Sequence, residues 1–291
     1  MAHVAYVNGR YVPLSSAAVN VEDRGFQFAD GVYEVIGIHH GRLLDEMPHL
    51  MRLERSLAAV RIAWPMPLAS LRVVIREMMR RNRLDASGIV YLQVTRGAAP
   101  RAHAFPARPR STLVMTARAI PPFDAERTRQ GVAVVTLPDL RWRRCDIKAV
   151  SLLPNVLGKQ AAVEAGAYEA WLVDDDGNVT EGTSSNAWIV TRDGQLITRQ
   201  ADAGILNGIT RQVVERLAGE QGVEVVERPF SVVEAKMAAE AFITSTTSFV
   251  KPVVRIDGAQ IGDGRIGPLT ARMLGYYVDL IEADMAGARH P

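Results

Sequence analysis

Two short segments of this chain carry side chains suited to one kind of chemistry. Arg144-Cys145-Asp146-Ile147-Lys148 ends in a lysine on an otherwise apolar stretch. Thr180-Glu181-Gly182-Thr183-Ser184-Ser185-Asn186, further along, sets a glutamate in a Gly/Ser turn. A lysine amine condenses with an aldehyde, and a carboxylate beside a pyridine nitrogen keeps that nitrogen protonated. Those are the two groups that pyridoxal phosphate chemistry asks of a protein. Each segment alone has a plainer reading, because a lysine next to apolar residues ordinarily snorkels to the surface. The pair gains meaning only with a site for phosphate.

A phosphate needs clustered N–H and O–H donors, and the start of a helix offers them. Gly204-Ile205-Leu206-Asn207-Gly208-Ile209-Thr210-Arg211 puts a glycine-containing turn at the head of an amphipathic segment. Thr244-Ser245-Thr246-Thr247-Ser248 lines up hydroxyls after a short apolar run. Taken singly, the first is an ordinary helix cap and the second a solvated loop. Arg52 is placed on the helix face away from Leu50, Leu53 and Leu57, where it can add a cation.

Other motifs fail on context. Gly262-Asp263-Gly264-Arg265-Ile266-Gly267 has dinucleotide-fingerprint spacing, with Glu282 beyond it, but too little chain follows for a second parallel strand. Gly158-Lys159 lacks the earlier glycine of a phosphate loop. His39-His40 has no further metal ligands near it in sequence, so no metal site is expected. Arg141 to Arg144 is broken by Trp142 and reads as a solvated or site-flanking run. Cys145 has no neighbouring base or helix start to lower its pKa, so it reads as a structural thiol.

The elements that must hold these residues are legible from periodicity and turn chemistry. Val4 to Val7, Asn8-Gly9 and Arg10 to Pro13 form a hairpin, since Asn-Gly accepts the positive φ of a tight turn. Gly31 to Ile38 is a strand closed by Gly41. Met47 to Ile62 and Leu68 to Arg83 are amphipathic helices. Ile89 to Thr95 and Thr112 to Thr116 are strands. Pro121-Pro122 punctuates a linker around Ala119 to Glu126, dividing the chain into residues 1–120 and 121–291. The second part reads as strand 132–137, helix 153–165, two hairpins around Asp174 to Asn178 and Arg192 to Gly194, helix 209–221, strands 223–226 and 241–243, and a closing helix from Leu269 to Ala283.

Composition bounds the function. Of 291 residues, 34 are basic and 32 acidic, a net charge of +2, which argues against nucleic acid or an anionic membrane as partner. With 48% hydrophobic residues the chain can bury a sizeable core. A single cysteine rules out an intrachain disulfide. No stretch reaches the ~18 apolar residues of a membrane span. No signal-peptide pattern opens the sequence, so a cytoplasmic protein is expected.

In the order in which they occur, Arg144 to Lys148, Thr180 to Asn186, Gly204 to Arg211 and Thr244 to Thr247 resemble the motifs of fold type IV pyridoxal phosphate enzymes, the class-IV aminotransferase family. The family holds D-amino acid transaminases, branched-chain aminotransferases and aminodeoxychorismate lyases. Thr95-Arg96-Gly97, Pro100-Arg101-Ala102-His103 and Asp30 to Val35 resemble the D-amino acid transaminases in particular. The resemblance implies an α+β or α/β chain of two domains, a small N-terminal α/β domain and a larger C-terminal domain that binds the cofactor.

Carried over residue by residue, the resemblance implies Lys148 as the cofactor lysine and Glu181 as the partner of the pyridine nitrogen. Arg52, Ile209, Thr210 and Thr246 would hold the phosphate, and Leu206 would pack on the ring. Tyr33, Arg101 and His103 would hold the substrate α-carboxylate, the last two reaching across a homodimer. The implied reaction passes the amino group of a D-amino acid, D-alanine, to a 2-oxo acid, 2-oxoglutarate, leaving pyruvate and D-glutamate. Thr183 stands where serine is common, and Gly37 and Ala98-Ala99 depart from the usual side chains. A branched-chain aminotransferase or an aminodeoxychorismate lyase is the alternative within the fold. A non-catalytic binder of a phosphate ligand is the alternative outside enzymology, and it would leave Lys148 and Glu181 idle.

Overall fold

Hydrophobic periodicity resolves into two sheets in a computed structural model that describes residues 3–286. The chain divides into two compact units. The described residues up to Phe123 form the first and Asp124–Asp146 with the described residues from Leu152 onward the second, while Ile147–Ser151 return to the first. Lys148, expected with the second half of the chain, therefore belongs to the first unit.

The first unit is a sheet of β1 (Val4–Val7), β2 (Arg10–Pro13), β3 (Gly31–His39), β4 (Arg42–Leu43), β5 (Gly88–Thr95) and β6 (Thr112–Ala119), in the order β2-β1-β6-β5-β3-β4. Every pairing is antiparallel. Asn8 and Gly9 take positive φ at the β1–β2 turn, as the Asn-Gly reading requires. Side chains alternate along a strand, and on β3 that rule sorts the site. Val32, Glu34, Ile36 and Ile38 are buried, while Tyr33 and Val35 between them are partly exposed.

Two helices, α2 (Glu46–Ala59) and α3 (Leu68–Arg81), supply the apolar stripe for this core. Leu50, Leu53 and Leu57 join Leu71, Ile75 and Met78 against Val32, Ile36, Val90 and Leu92. A short helix, α1 (Arg24–Phe28), precedes β3 and is capped by Asp23, which accepts from the Gly25 amide.

The second unit begins with α4 (Ala125–Arg129) and holds β7 (Val132–Pro138), α5 (Leu153–Glu164), β8 (Glu169–Val173), β9 (Val179–Gly182), β10 (Asn186–Val190) and β11 (Leu196–Thr198). It continues through α6 (Ile209–Glu220), β12 (Val225–Glu227), α7 (Val232–Met237), β13 (Glu240–Ser245), β14 (Phe249–Ile256), β15 (Ala259–Gln260) and α8 (Pro268–Ala286). The strands run β12-β11-β10-β13-β14-β7-β8-β9, with β15 beside β14. Central β10 is buried along its whole length, and from Ala187 to Val190 both of its faces are apolar. Ile189 joins Val134, Trp171 and Phe230 in one cluster. Trp188, on the other face, stacks on Phe242 at 5.3 Å.

Sequence periodicity found most of these elements to within a few residues. It missed β14, and with it the fact that the hydroxyl-rich segment is the tip of the β13–β14 hairpin. It also missed the short helices α1, α4 and α7. The Gly262 to Gly267 segment follows the two-residue β15 and leads into α8, a context with no dinucleotide-binding unit. Among the described residues no helix is long and apolar enough to cross a membrane.

Candidate active site

In the first unit, the segment carrying Lys148 lies beside β3. The Tyr33 amide donates to the Lys148 carbonyl at 3.0 Å and the Val150 amide to the Gly31 carbonyl at 3.1 Å, flanking a bridge between Val32 and Ala149. Extended backbone alternates its side chains, so Ile147 and Ala149 enter the core while Lys148 between them does not. Lys148 Nζ lies 4.4 Å from the centre of the Tyr33 ring. Its backbone amide donates to Ser56 Oγ on α2 at 3.4 Å. Tyr33 stacks on Tyr91, whose hydroxyl is pushed up to about 12 by burial and by Tyr33.

Arg52 differs from the solvated position expected for it. His49, Arg52, Leu53 and Ser56 fall on the buried side of α2, and Arg52 is 5% exposed. Its guanidinium grips Glu34 with two parallel hydrogen bonds of 2.8 Å. His49 Nδ1 lies 2.8 Å from the same carboxylate. Burial alone would raise the Glu34 carboxyl, but the charge and hydrogen bonds of Arg52 and the His49 hydrogen bond hold it well below the usual carboxylate range. Burial pushes His49 down, so the ring is neutral and donates through Nδ1.

Arg101 and His103 sit in the exposed loop between β5 and β6 and meet at one ring. The Arg101 guanidinium lies 4.6 Å from the Phe28 centroid and the His103 ring 5.6 Å from it. Gly97 opens that loop at φ +91, and a Cβ there would lie 1.8 Å from the Arg110 carbonyl oxygen, so only glycine lets the two limbs close.

In the second unit, Glu181 is 6% exposed on β9. Its Oε2 accepts from Asn186 Nδ2 at 3.0 Å and from the Leu206 amide at 3.1 Å. Its Oε1 accepts from Arg141. Arg141 also holds Asp139 through Nε at 2.9 Å and its second terminal nitrogen at 2.7 Å. Asp139 is itself held below the ordinary range, burial opposing and Arg141 outweighing it. Sequence alone leaves Arg141 as either a solvated or a site-flanking charge. It is a buried counter-ion of Glu181, and only its tertiary partner reveals it.

Glu169 is a second such residue. It accepts from Thr183 Oγ1 at 3.0 Å, from the Ser184 amide and hydroxyl at 2.7 Å each, and from Ser185 Oγ. The hydroxyls of this turn are thus bound by Glu169 and fix the turn behind Glu181. Threonine at position 183 keeps the hydroxyl that the turn uses.

Helix α6 begins at Gly208 with no side-chain cap and no acidic residue in its first turn. A Cβ on Gly208 would lie 2.1 Å from Asn186 Oδ1, so the close approach depends on glycine. Asn186 Nδ2 donates to the Leu206 carbonyl at 2.8 Å, tying this turn to Glu181 through one side chain. Asn186 also pairs in register with Thr244 at the end of β13. In the hydroxyl-rich tip beyond it, Thr244 accepts from Trp188, Ser245 from the Ser248 amide, and Ser248 meets Tyr168. No side-chain hydrogen bond within the described residues engages Thr246, which is partly buried, or Thr210, which is 4% exposed. The uncapped start of α6 with the uncommitted Thr210 hydroxyl in its first turn offers donors that suit a phosphate. Arg211 does not join them, being bound by Glu227 at 2.5 Å and Glu215 at 2.9 Å.

Cys145 is buried, donates to the Trp142 carbonyl at 3.1 Å, and has its thiol pushed up to about 11 by burial. At neutral pH it stays protonated, which suits a structural thiol.

Residues 31–256 match the family described as amino-transferase class IV, and the chain belongs to that family. It is 42% identical over 277 residues to a D-alanine aminotransferase of Listeria monocytogenes, covering 94% of this chain and 95% of the relative. It is 46% identical over 264 residues to a D-alanine aminotransferase of Bacillus licheniformis, covering 90% and 92%. A solved branched-chain amino acid aminotransferase of Escherichia coli superposes with a TM-score of 0.88 at 26% identity, covering 96% of this chain and 95% of that one. The branched-chain amino acid aminotransferase of Thermoproteus uzoniensis, solved with norvaline, gives 0.83 at 25%, covering 95% and 94%. Another branched-chain enzyme, solved with pyridoxamine 5'-phosphate, gives 0.88 at 27%, covering 96% and 94%.

Proposed function

We propose that this chain is a pyridoxal phosphate-dependent D-amino acid aminotransferase. It takes the amino group of D-alanine and passes it to 2-oxoglutarate, releasing pyruvate and D-glutamate. The observation that carries this reading is the likeness, across nine-tenths of the chain, to proteins named D-alanine aminotransferase. The branched-chain enzymes share the fold at much lower identity. Arg101 and His103 in one loop favour the D-amino acid reading over a branched-chain aminotransferase or an aminodeoxychorismate lyase.

Pyridoxal phosphate, when bound, supplies an aldehyde carbon that takes up the amino group and a ring that accepts the electrons left at the substrate Cα. Lys148 is the amine that anchors it and the group that removes and returns the Cα proton. Glu181, backed by Arg141, would keep the proton on the ring nitrogen. The Ile209 amide, Thr210, Thr246 and Arg52 hold the phosphate. Leu206, whose amide is fixed by Glu181, packs on the ring. Tyr33, Arg101 and His103 hold the α-carboxylate, and an arginine fork fixes its orientation as well as adding affinity.

The working form in this reading is a homodimer whose loop bearing Arg101 and His103 serves the partner. Helix α5 supports an assembly: Leu153, Val156 and Leu157 are 68%, 59% and 61% exposed along one face. A cytoplasmic setting suits a single buried thiol. The test is the purified protein with pyridoxal phosphate, 2-oxoglutarate and a panel of D- and L-amino acids, with product chirality read out. Activity confined to L-leucine, L-isoleucine and L-valine would overturn the reading.

A further inference from the structure

Arg24 holds the tip of the loop carrying Arg101 and His103. It is 4% exposed and lies at the start of α1. One terminal nitrogen donates to the Ala102 carbonyl at 2.5 Å and to the Ala104 carbonyl at 3.3 Å. The other donates to the His103 carbonyl at 3.2 Å. Its Nε donates to Asp30 at 2.7 Å. Three consecutive carbonyls of the loop therefore converge on one guanidinium.

The rest of α1 completes the clamp. The Arg24 amide donates to the Gly97 carbonyl and the Ala99 amide to the Glu22 carbonyl, so the base of the loop is tied to the same short segment. Phe28 lies under Arg24 at 4.9 Å, under Arg101 at 4.6 Å, and against the His103 ring. Asp30, which anchors Arg24, also anchors Arg96 at 2.8 Å, and Arg96 lies 3.5 Å over Phe105 at the far side of the tip. Two buried arginines thus share one carboxylate.

A loop of exposed residues ordinarily loses conformational freedom when it binds, and that loss weakens affinity. Here the backbone of residues 102–104 is ordered in advance by a fork of donors whose geometry lysine cannot reproduce. We propose that Arg24 is the positioning residue of the substrate-carboxylate loop, holding its backbone, with Phe28 beneath, so that Arg101 and His103 are presented in a preset arrangement. This rests on the proposed function, in which Arg101 and His103 bind the α-carboxylate.

The experiment compares Arg24→Met, Arg24→Lys and Phe28→Leu with the parent, each as purified protein loaded with pyridoxal phosphate. Two quantities are read: steady-state constants with D-alanine and 2-oxoglutarate, and amide hydrogen exchange across residues 88–111. Arg24→Met is expected to raise KM for both substrates roughly tenfold or more with kcat nearly unchanged, because positioning rather than proton transfer is lost. Exchange should rise at residues 101–105 and stay at parent level in β5. Arg24→Lys, which keeps a charge for Asp30, should show the same two changes in reduced size. Phe28→Leu should raise both KM values. If Arg24→Met does not fold, the other two variants decide.

Parent-level KM and exchange in Arg24→Lys, with Phe28→Leu also unchanged, would overturn the proposal and leave Arg24 as a counter-ion of Asp30. Raised exchange with unchanged KM would overturn it differently, showing a clamp on a loop that does not bind substrate. Arg101→Ala separates the underlying reading, since a parent-level KM there rejects the carboxylate role itself.

Discussion

Arg141 joins Glu181 to Asp139, donating to one carboxylate through one terminal nitrogen and to the other through the second. All three side chains are nearly or fully buried. One guanidinium thus serves two carboxylates, so Glu181 shares its counter-charge with Asp139 while its other oxygen is fixed by Asn186 and the Leu206 amide.

Removing that counter-ion should cost both stability and rate. Arg141→Met removes the guanidinium from two carboxylates at once, a loss of about 3–5 kcal/mol for a broken buried pair. Urea unfolding should show a lowered midpoint with little change in slope. Turnover should fall as well, because Glu181 then loses the donor that fixes its Oε1. Glu181→Gln should fold normally and bind cofactor, yet lose roughly 100-fold or more in turnover, in line with removal of one preorganised electrostatic partner. Parent-level turnover in Glu181→Gln would make Glu181 a turn residue only.

Lys148 is expected to be the attachment point of the cofactor. The purified protein should be yellow with pyridoxal phosphate, and borohydride should fix the group to Lys148, located by peptide mass spectrometry. Lys148→Ala should abolish transamination with the fold intact. Lys251 is the instructive rival, since burial and then Arg127 lower its pKa. An adduct on Lys251 or Lys159 would reject the assignment.

The Glu34–His49–Arg52 cluster predicts an acid-sensitive first unit. His49 has a folded pKa below 6.5, so the unfolded chain binds more protons beneath that value. Its contribution is fully present above pH 6.5 and is lost as pH falls toward the folded pKa. Glu34 is depressed too, so its contribution is present above the ordinary carboxylate range and disappears as pH falls toward 2. Stability should decline from pH 7 to pH 5 with a slope of at most about 1.4 kcal/mol per pH unit from His49. Denaturant titrations at several pH values test this, and His49→Gln should flatten the slope in that window.

The proposed sharing of sites between subunits predicts complementation between two crippled variants. Arg101→Ala should raise KM for D-alanine strongly, since the two-pronged, charge-assisted grip on the substrate carboxylate is lost. Mixed with Lys148→Ala, it should regain part of the D-alanine activity, because one site of the heterodimer keeps both native residues. Heterodimers shown to form, yet inactive, would place Arg101 and Lys148 of a single chain in the same site.

Local chemistry alone set much of this protein. The Asn8-Gly9 hairpin, helices α2, α3, α5, α6 and α8, and most strands follow from periodicity and turn residues within a few positions of one another. The four motifs that carry Lys148, Glu181, Thr210 and Thr246 are equally local. Folding decided what depends on contact between distant segments. Arg141 and Glu181, Glu169 and the Ser184 turn, and Arg24 and the 102–104 carbonyls are far apart in sequence, and no spacing rule joins them. The leucine stripe of α2 by itself leaves Arg52 outside the core, whereas Glu34, facing inward on β3, pulls its guanidinium in. Lys148 sits in sequence beside second-unit residues, and the bonds of its segment to Gly31, Tyr33 and Ser56 return it to the first. Strand β14 was hidden because Pro252 interrupts its apolar run, and a proline within a strand pattern is ordinarily read as a break until a neighbouring strand is seen to pair across it.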